Sequence, residues 1–270
     1  MKVLITGASG FVGRTVLATA YQRGISVRPV VRNLESIKLA NPRAVTFESI
    51  VVPTLSSDTN WGEALLEVDV VIHCAARVHI MCDMAPDVLS AFRSVNVDGT
   101  LNLARQAAHA GVKRFVFLSS IKVNGEETQP GGPYSAHDVP APEDAYGISK
   151  AEAEAGLRLL SDETGMEVVI IRPPLVYGPG VKGNFSSLLR WVARGLPLPL
   201  GLATTNRRSL VGLDNLVDLL VTCLKHPAAA GQTFLVSDGE DVSTTQLLRR
   251  TSQAMGKKAF LLPVPALVLL

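Results

Sequence analysis

The amino-acid sequence predicts an α/β fold in which a doubly wound parallel sheet precedes a smaller, mostly helical C-terminal lobe. Up to about residue 178, apolar runs of strand length alternate with segments of helix length. The runs are continuous in Val, Ile and Phe, which is typical of strands covered on both faces. The first run leads directly into the glycine-rich stretch "TGASGFVG" (6–13) and then into a helix. Strands that alternate with helices imply right-handed crossovers and a parallel sheet.

The elements follow in a regular order along this first part of the chain. The apolar runs predict strands because of their length and their β-branched and aromatic residues. The segment 94–111 predicts a long helix with Leu101, Leu103 and Ala107 on its apolar side, and Gly111 suits its C-terminal end. The predicted strands are 2–6, 27–32, 69–76, 114–120 and 167–178, and the predicted helices are 12–23, 94–111 and 145–162.

The pattern changes after residue 178. Gly and Pro become frequent in "YGPGVKGN" and "RGLPLPLG", and helices dominate around one short strand near "TFLVSD". We therefore expect a dinucleotide-binding (Rossmann) domain at 1–178 and a substrate-binding lobe at 179–270. The last residues, "PVPALVLL", are apolar and lack a polar helix cap, so we expect this lobe to be truncated.

Composition excludes several classes of protein. The chain has 270 residues and a formal net charge of +2, which gives no reason to expect nucleic acid or an acidic membrane surface as a partner. Its apolar runs are shorter than the ~20 residues of a membrane-spanning helix. The cysteines, Cys74, Cys82 and Cys223, are scattered and odd in number, which favours a reducing cytoplasm over a disulfide framework or a metal site.

Three glycines, Gly7, Gly10 and Gly13, mark the turn between the first strand and the first helix. Such a turn lets backbone N–H groups approach a phosphate and points the helix N-terminus at it. A glycine-rich turn without a ligand is the alternative, so the rest of the pattern has to decide between the two.

Residues at the ends of the next strands bear on cofactor choice. Arg32 lies about 20 residues beyond the glycines, where an acidic residue normally holds the ribose hydroxyls of NAD. A guanidinium there favours the 2′-phosphate of NADP, with Arg28 and Arg14 as additional charge; an ordinary surface arginine is the alternative. Ala75 and Ala76 follow the third strand, and such small residues either admit a cofactor or simply pack.

Tyr146 and Lys150 are four residues apart on a predicted helix and therefore share a face. A nearby ammonium lowers the pKa of a phenol, so that tyrosine exchanges protons nearer neutral pH. The preceding strand ends in Ser119 and Ser120, either of which can hydrogen-bond a reacting oxygen. A Tyr-x-x-x-Lys spacing alone is usually a solvated helix face, but its position after the glycine turn and the serines indicates catalysis.

Taken together, these motifs resemble those of the extended short-chain dehydrogenases/reductases, in the nucleotide-sugar epimerase/dehydratase group. The matching stretches, in family order, are "TGASGFVG" (6–13), "DVVIHCAA" (69–76), "NVDGTLNL" (96–103), "FLSS" (117–120), "YGISK" (146–150) and "RPPLVYGPG" (172–180). The resemblance implies that Ser120, Tyr146 and Lys150 are catalytic. It favours Ser120 over Ser119 because the family's serine lies five residues before a glycine, here Gly125.

The resemblance also implies an NAD(P) site and a substrate site. With Arg32 added, which favours NADP over NAD, the expected cofactor-binding residues are Gly7, Gly10, Phe11, Val12, Gly13, Arg32, Ala75, Ala76, Tyr146, Lys150 and Pro173. The expected substrate-binding residues are Ser120, Asn184, Arg207 and Arg208, with Arg207 preferred over Arg208 for the diphosphate. No metal ion is expected. A homodimer is expected.

The reaction implied is hydride transfer at C4 of a nucleotide hexose, expected to be a UDP sugar, by a 4-epimerase or a 4-keto-sugar reductase in surface polysaccharide precursor synthesis. Dehydration is not expected, because Ile121 and Lys122 stand where sugar 4,6-dehydratases carry an Asp-Glu pair. Two alternatives remain open: a sensor that binds NAD(P) without turnover, and a reductase of a small carbonyl compound.

Overall fold

A computed structural model describes residues 1–35, 47–78, 85–129, 131–181 and 183–265. Its main sheet has seven parallel strands in the order β3-β2-β1-β4-β5-β6-β9, and β7 and β8 form a second parallel sheet of two strands. The strands are β1 (Lys2–Thr6), β2 (Ser26–Val31), β3 (Ile50–Val51), β4 (Val70–His73), β5 (Arg114–Leu118), β6 (Glu167–Arg172), β7 (Leu175–Tyr177), β8 (Leu210–Gly212) and β9 (Thr233–Leu235).

The described helices connect these strands. They are α1 (Phe11–Gln22), α2 (Gly62–Leu65), α3 (Val88–Arg93), α4 (Gly99–His109), α5 (Ala145–Thr164), α6 (Gly183–Ala193), α7 (Leu213–Thr222) and α8 (Thr244–Ala254). A π-helical turn, Ser94–Asp98, joins α3 to α4, and a 3₁₀ turn, Ile121–Val123, follows β5. None of the helices that the structure describes has both the length and the apolar character needed to cross a membrane.

The strand order places a switch point between β1 and β4. The chain runs outward from β1 through β2 to β3, and then returns to β4 on the other side of β1. Ligands of doubly wound folds bind at such a point, beyond the carboxyl ends of the strands. The glycine turn after β1 and the residues after β4 therefore flank the expected ligand position.

The core of the sheet is apolar and fully covered on one face by α4 and α5. Leu4, Phe115 and Phe117 of the strands are buried together with Leu103 of α4 and Leu157 of α5. Parallel strands buried on both faces need such continuous apolar runs, which confirms the predicted α/β class.

Several predicted elements differ in detail from the structure. The predicted helix 94–111 begins as the π-helical turn and continues as α4, and helical structure starts earlier, with α3. The predicted strand 167–178 is two strands, β6 and β7, in different sheets. Pro173 and Pro174 separate them, because proline has no N–H to donate to a sheet ladder. Strands β3 and β8 are absent from the sequence prediction.

The chain divides into two compact units. The first comprises Met1–Pro174 and Asp214–Val236, and the second comprises Leu175–Leu213 and Ser237–Leu270. A single boundary at residue 178 does not anticipate the return of 214–236 to the first unit. The short strand predicted near 233–238 is β9, which extends the main sheet beside β6 rather than serving the C-terminal lobe.

Candidate active site

The three glycines form a tightly packed turn between β1 and α1. A Cβ on Gly13 would lie 2.2 Å from the Gly7 carbonyl oxygen, and a Cβ on Gly7 would lie 2.8 Å from the Ala75 nitrogen. Gly7 has φ of +67°, and Gly10 is the N-cap of α1. Only glycine fits these positions without displacing backbone, so the turn presses against the residues that follow β4.

This turn fits a dinucleotide phosphate. The first N–H groups of α1, which include those of Phe11, Val12 and Gly13, have no acceptor within the helix, and the helix dipole adds positive potential there. Since α1 has no acidic residue in its first turn, no carboxylate there repels a bound anion. The glycines prevent side chains from filling the cradle, which is the arrangement that a pyrophosphate requires.

Buried polar side chains hold the loop after β4 beside this turn. The Thr6 hydroxyl accepts a bond from the Ala75 N–H at 3.3 Å and lies 2.7 Å from His73 Nδ1. The Asn96 amide accepts from the Arg77 N–H at 2.8 Å and donates to the Arg77 carbonyl at 2.9 Å. Ala75 and the neighbouring Ala76 are half-buried. Sequence reasoning missed Thr6 and Asn96, although Asn96 opens the matched stretch "NVDGTLNL".

The two arginines of the β2 region have different surroundings. Arg32 follows the end of β2 and is exposed, as cofactor selection would require. Arg28 is buried and donates to the Ala64 and Leu66 carbonyls at 3.0 and 2.7 Å, where α2 ends. The expectation that Arg28 adds charge near the cofactor is wrong, because its guanidinium binds the carbonyl end of a helix instead.

Lys150 lies on the buried face of α5 and is 2% exposed. Its Nζ donates to the Leu118 carbonyl at the end of β5 at 2.8 Å and lies 4.3 Å from the centroid of the Phe117 ring. Burial lowers the pKa of Lys150 to about 8, although the nearby Cys74 and Glu154 act in the opposite direction. A largely charged ammonium thus remains inside the protein at neutral pH.

Tyr146 lies one turn before Lys150 on the same face of the helix. The Lys150 Nζ is 6.0 Å from the Tyr146 ring centroid, and the ring also meets Phe92 edge-on at 6.1 Å. Burial, and then the charge of Asp144, raise the pKa of Tyr146 to about 12, which is opposite to the lowering expected from the Lys150 ammonium. Helix α5 begins here because the Asp144 carboxylate accepts from the Gly147 N–H at 2.6 Å.

The two serines after β5 have different environments. Ser119 is buried, and its hydroxyl donates to Glu154 Oε1 at 2.6 Å. Ser120 is half-buried, and its hydroxyl caps the following 3₁₀ turn by accepting from the Lys122 N–H at 3.3 Å. Only Ser120 is open to a ligand, which supports its choice over Ser119 as the candidate catalytic serine. Pro173 lies beside this turn, since its carbonyl accepts from the Ile121 N–H at 3.0 Å.

The residues expected to bind the substrate diphosphate lie in the second unit. Arg207 and Arg208 are both exposed. Arg207 Nη1 donates to Gln246 Oε1 at 3.3 Å, whereas the backbone of Arg208 pairs with that of Val242. Asn184 belongs to α6, but its side chain is outside the part that the structure describes. The described residues contain no cluster of His, Cys, Asp and Glu that could hold a metal ion.

Comparisons with known proteins identify similar sequences and a similar fold. A model of the NAD dependent epimerase/dehydratase family matches residues 3–237. UDP-glucose 4-epimerase of Vibrio cholerae is 49% identical over 98% of this chain and 79% of that protein. N-acetyl-alpha-D-glucosaminyl-diphospho-ditrans,octacis-undecaprenol 4-epimerase of Escherichia coli O157:H7 is 30% identical over 95% and 73%, respectively. UDP-glucuronic acid 4-epimerase from Bacillus cereus, solved in complex with NAD, shares the fold with a TM-score of 0.83 at 21% identity, covering 97% of this chain and 86% of that one.

Proposed function

This chain belongs to the NAD dependent epimerase/dehydratase family, and on that premise we propose that it is a 4-epimerase of a nucleotide hexose. UDP-glucose is the substrate that we propose to test first, because the similar Vibrio cholerae protein is named for it. The names of the two relatives share 4-epimerisation of a sugar carried on a diphosphate. We therefore place the chemistry at C4 and expect recognition of the diphosphate.

The observation that carries the proposal is the buried Lys150 ammonium, which lies 6.0 Å from the Tyr146 ring centroid and binds the Leu118 carbonyl, two residues before the half-buried Ser120. When bound, NAD supplies an acceptor for the C4 hydride and a positive ring. In our proposal Tyr146 takes the proton of the C4 hydroxyl and later returns it, Ser120 donates a hydrogen bond to the same oxygen, and Lys150 stabilises the phenolate. Epimerisation further requires that the 4-keto sugar rotates within the site between the two hydride transfers, so that its other face meets the cofactor.

The diphosphate-binding part of the proposal concerns the second unit. An exposed guanidinium suits a diphosphate because its planar fork donates two parallel hydrogen bonds. Both arginines are exposed; Arg207 is preferred on the strength of the resemblance, and Arg208 is the alternative. We also keep Asn184 as a proposed ligand of the diphosphate on the strength of the resemblance alone.

Arg32 favours a second candidate function, a 4-keto-sugar reductase that uses NADPH. Its exposed guanidinium follows β2, where a carboxylate would select NAD. We therefore propose a preference for NADP and treat the reductase as the competing activity. Dehydration stays outside the proposal, because Ile121 and Lys122 supply no carboxylate at the positions of the dehydratases' Asp-Glu pair.

Other parts of the proposal rest on the sequence alone. These are a role in polysaccharide precursor synthesis, a homodimeric state, and the cytoplasmic location that the cysteine pattern favours. A sensor without turnover is less well supported, because the chain carries Ser120, Tyr146 and Lys150, and Lys150 lies on the same helix face as Tyr146. A reductase of small carbonyl compounds would leave Arg207 without a role.

The experiment is to incubate the purified chain with UDP-glucose and NAD and to follow UDP-galactose by chromatography. Epimerisation by the wild type and its loss in Tyr146→Phe would support the proposal. Turnover of a UDP-4-keto sugar with NADPH, but no epimerisation, would assign the reductase instead. Nucleotide released on gentle denaturation separates the same two cases, since retained NAD(H) indicates an epimerase that recycles its cofactor in place.

A further inference from the structure

A fully buried ion pair lies one helical turn beyond Lys150. Glu154 of α5 is 0% exposed and Arg172 of β6 is 1% exposed. Arg172 donates to both carboxylate oxygens, from Nε to Oε1 at 2.9 Å and from Nη2 to Oε2 at 2.6 Å. Ser119 Oγ donates to Oε1 at 2.6 Å, and Arg158 Nη2 donates to Oε2 at 3.0 Å. These donors fill the acceptor capacity of the Glu154 carboxylate.

This ion pair holds both ends of the segment that carries Ser120. At one end, Glu154 binds the hydroxyl of Ser119, the residue directly before Ser120. At the other end, Arg172 Nη1 donates to Asn124 Oδ1 at 2.9 Å, just after the 3₁₀ turn. One buried carboxylate–guanidinium pair thus holds the side chains at both ends of this segment, in addition to the backbone bonds from the Ser119 N–H to the Ile171 carbonyl at 2.7 Å and from the Ile121 N–H to the Pro173 carbonyl at 3.0 Å.

The same carboxylate also sets the docking of α5 against β5. Lys150 and Glu154 are four residues apart and lie on one face of the helix. Lys150 binds the Leu118 carbonyl and Glu154 binds the Ser119 hydroxyl, so two successive helical turns contact two successive residues of the strand end. A change at Glu154 thus alters the registration of the helix that carries the candidate catalytic groups.

Stability alone does not explain a buried ion pair. Removing two charges from water costs about as much as their attraction returns, and an apolar pair of similar volume is often equally stable or more so. Apart from their bonds to each other and the bond from Arg158, Glu154 and Arg172 bind Ser119 and Asn124, the two ends of the segment that carries Ser120. The geometry therefore favours a role in placing groups.

We propose that Glu154 and Arg172 are positioning residues that hold the Ser120 hydroxyl and the Lys150 ammonium in a fixed arrangement for the reaction at Tyr146. This inference rests on the proposed function, which assigns those three residues to the chemistry. Glu154 touches neither substrate nor cofactor in this proposal and acts through Ser119 and through the docking of α5 on β5.

The negative charge of Glu154 also supports its proposed role, because it acts on the Lys150 ammonium. The groups that act on Lys150 are Cys74 at the end of β4 and Glu154 on its own helix, and both oppose the lowering of the Lys150 pKa by burial. Arg158 and Arg172 pair with Glu154 and would face Lys150 uncompensated if that carboxylate were neutral. Loss of the Glu154 charge therefore makes Lys150 less cationic and a poorer stabiliser of the Tyr146 phenolate.

The first test is Ser119→Ala, which cuts one anchor and leaves the ion pair intact. Ser161→Ala is the matched control, because that hydroxyl, on the same helix as Glu154, donates at 2.8 Å to Met166 O, away from Ser120. For epimerisation of UDP-glucose, we expect Ser119→Ala to lower kcat about tenfold or more with KM nearly unchanged, because small misplacement of reacting groups is costly. Equal kinetics in the two variants would overturn the proposal.

The second test does not depend on turnover. The wild type and Glu154→Gln are titrated with base in the presence of NAD, and the absorbance of tyrosine phenolate is followed. The step that is missing in Tyr146→Phe belongs to Tyr146 and gives its pKa. We expect the Tyr146 pKa to rise in Glu154→Gln by about half a unit or more, and an unchanged value would overturn the proposal. If Glu154→Gln does not fold, the double variant Glu154→Met/Arg172→Met replaces it in the same titration, and an unchanged Tyr146 pKa in that variant would overturn the proposal. If the wild type does not epimerise UDP-glucose, that substrate assignment fails, while the titration still decides the positioning role.

Discussion

Lys122 Nζ lies 2.5 Å from Asp144 Oδ2 and joins the turn after Ser120 to the N-cap of the helix that carries Tyr146. The two segments also approach closely at Gly147, where a Cβ would lie 2.8 Å from the Lys122 carbonyl oxygen. Because Asp144 raises the pKa of Tyr146, a cation bound to Asp144 moderates that effect.

Lys122→Met is therefore expected to shift the acidic limb of the kcat–pH profile to higher pH. With Lys122 gone, the Asp144 carboxylate acts on Tyr146 with less compensation, so the phenol loses its proton only at higher pH. We expect a shift of a few tenths of a unit, roughly, since the ion pair is partly solvated. Lys122→Arg is the control that should keep the wild-type profile. A profile that moves to lower pH, or equally in both variants, would contradict this assignment.

Tyr146→Phe is expected to reduce epimerisation by roughly a hundredfold to ten-thousandfold, because it removes the proposed acid and base. Cofactor affinity should change little, since the ring still packs against Phe92. The measurement is single-substrate kinetics together with calorimetric titration of NAD. Tyr21→Phe, at a tyrosine that is 57% exposed on α1, is the matched control and should retain full activity. Near-normal turnover of Tyr146→Phe would exclude Tyr146 as the proton-transfer group.

Arg32→Ala is expected to weaken NADPH binding more than NADH binding, because the guanidinium is proposed to pair with the 2′-phosphate. Arg28→Met provides the comparison: it should lower the melting temperature, because Arg28 donates to carbonyls at the end of α2, while leaving the ratio of the two affinities unchanged. Both cofactors are titrated by fluorescence against each variant. Equal losses for NADPH and NADH in Arg32→Ala would remove the case for an NADP preference.

Gly13→Ala is expected to abolish tight cofactor binding and to destabilise the fold by about 1–3 kcal/mol, as overpacking of a well-packed site does. The new methyl group would lie 2.2 Å from the Gly7 carbonyl oxygen and would push α1 away from the phosphate cradle. Gly132→Ala is the control, since a Cβ there meets its nearest neighbour at 3.6 Å. Calorimetric melting and NAD titration are the measurements, and wild-type affinity in Gly13→Ala would show that the turn is not the phosphate site.

His73 is expected to make the folded state sensitive to acid. Burial, and secondarily the charge of Lys150, lower the pKa of His73 to about 3, whereas the unfolded chain has a pKa near the ordinary 6.5. Unfolding between these values takes up a proton, so the free energy of unfolding should fall as pH decreases from 6.5 toward 3. His73→Gln should reduce that slope by up to about 1.4 kcal/mol per pH unit. Denaturant unfolding at several pH values measures it, and identical slopes would mean that His73 titrates normally.

Much of the first unit was predictable from local sequence because its signals are local. Continuous apolar runs such as "KVLIT" and "RFVFLSS" specify doubly covered strands, and the spacing of Gly7, Gly10 and Gly13 specifies a turn that only glycine can make. The four-residue spacing of Tyr146 and Lys150 places both on one helix face whatever the rest of the fold does. The match to the family motifs added the choice of Ser120.

Contacts between residues distant in sequence were decided by the tertiary structure. Arg28 and Arg32 look alike in sequence, yet packing directs one to the end of α2 and leaves the other exposed. No local pattern reveals that Ser119, Glu154 and Arg172 meet, because their burial depends on the docking of α5 and β6 around the end of β5. Likewise, 214–236 returns to the first unit because β9 completes its hydrogen bonds along β6, an edge that exists only once the sheet has formed.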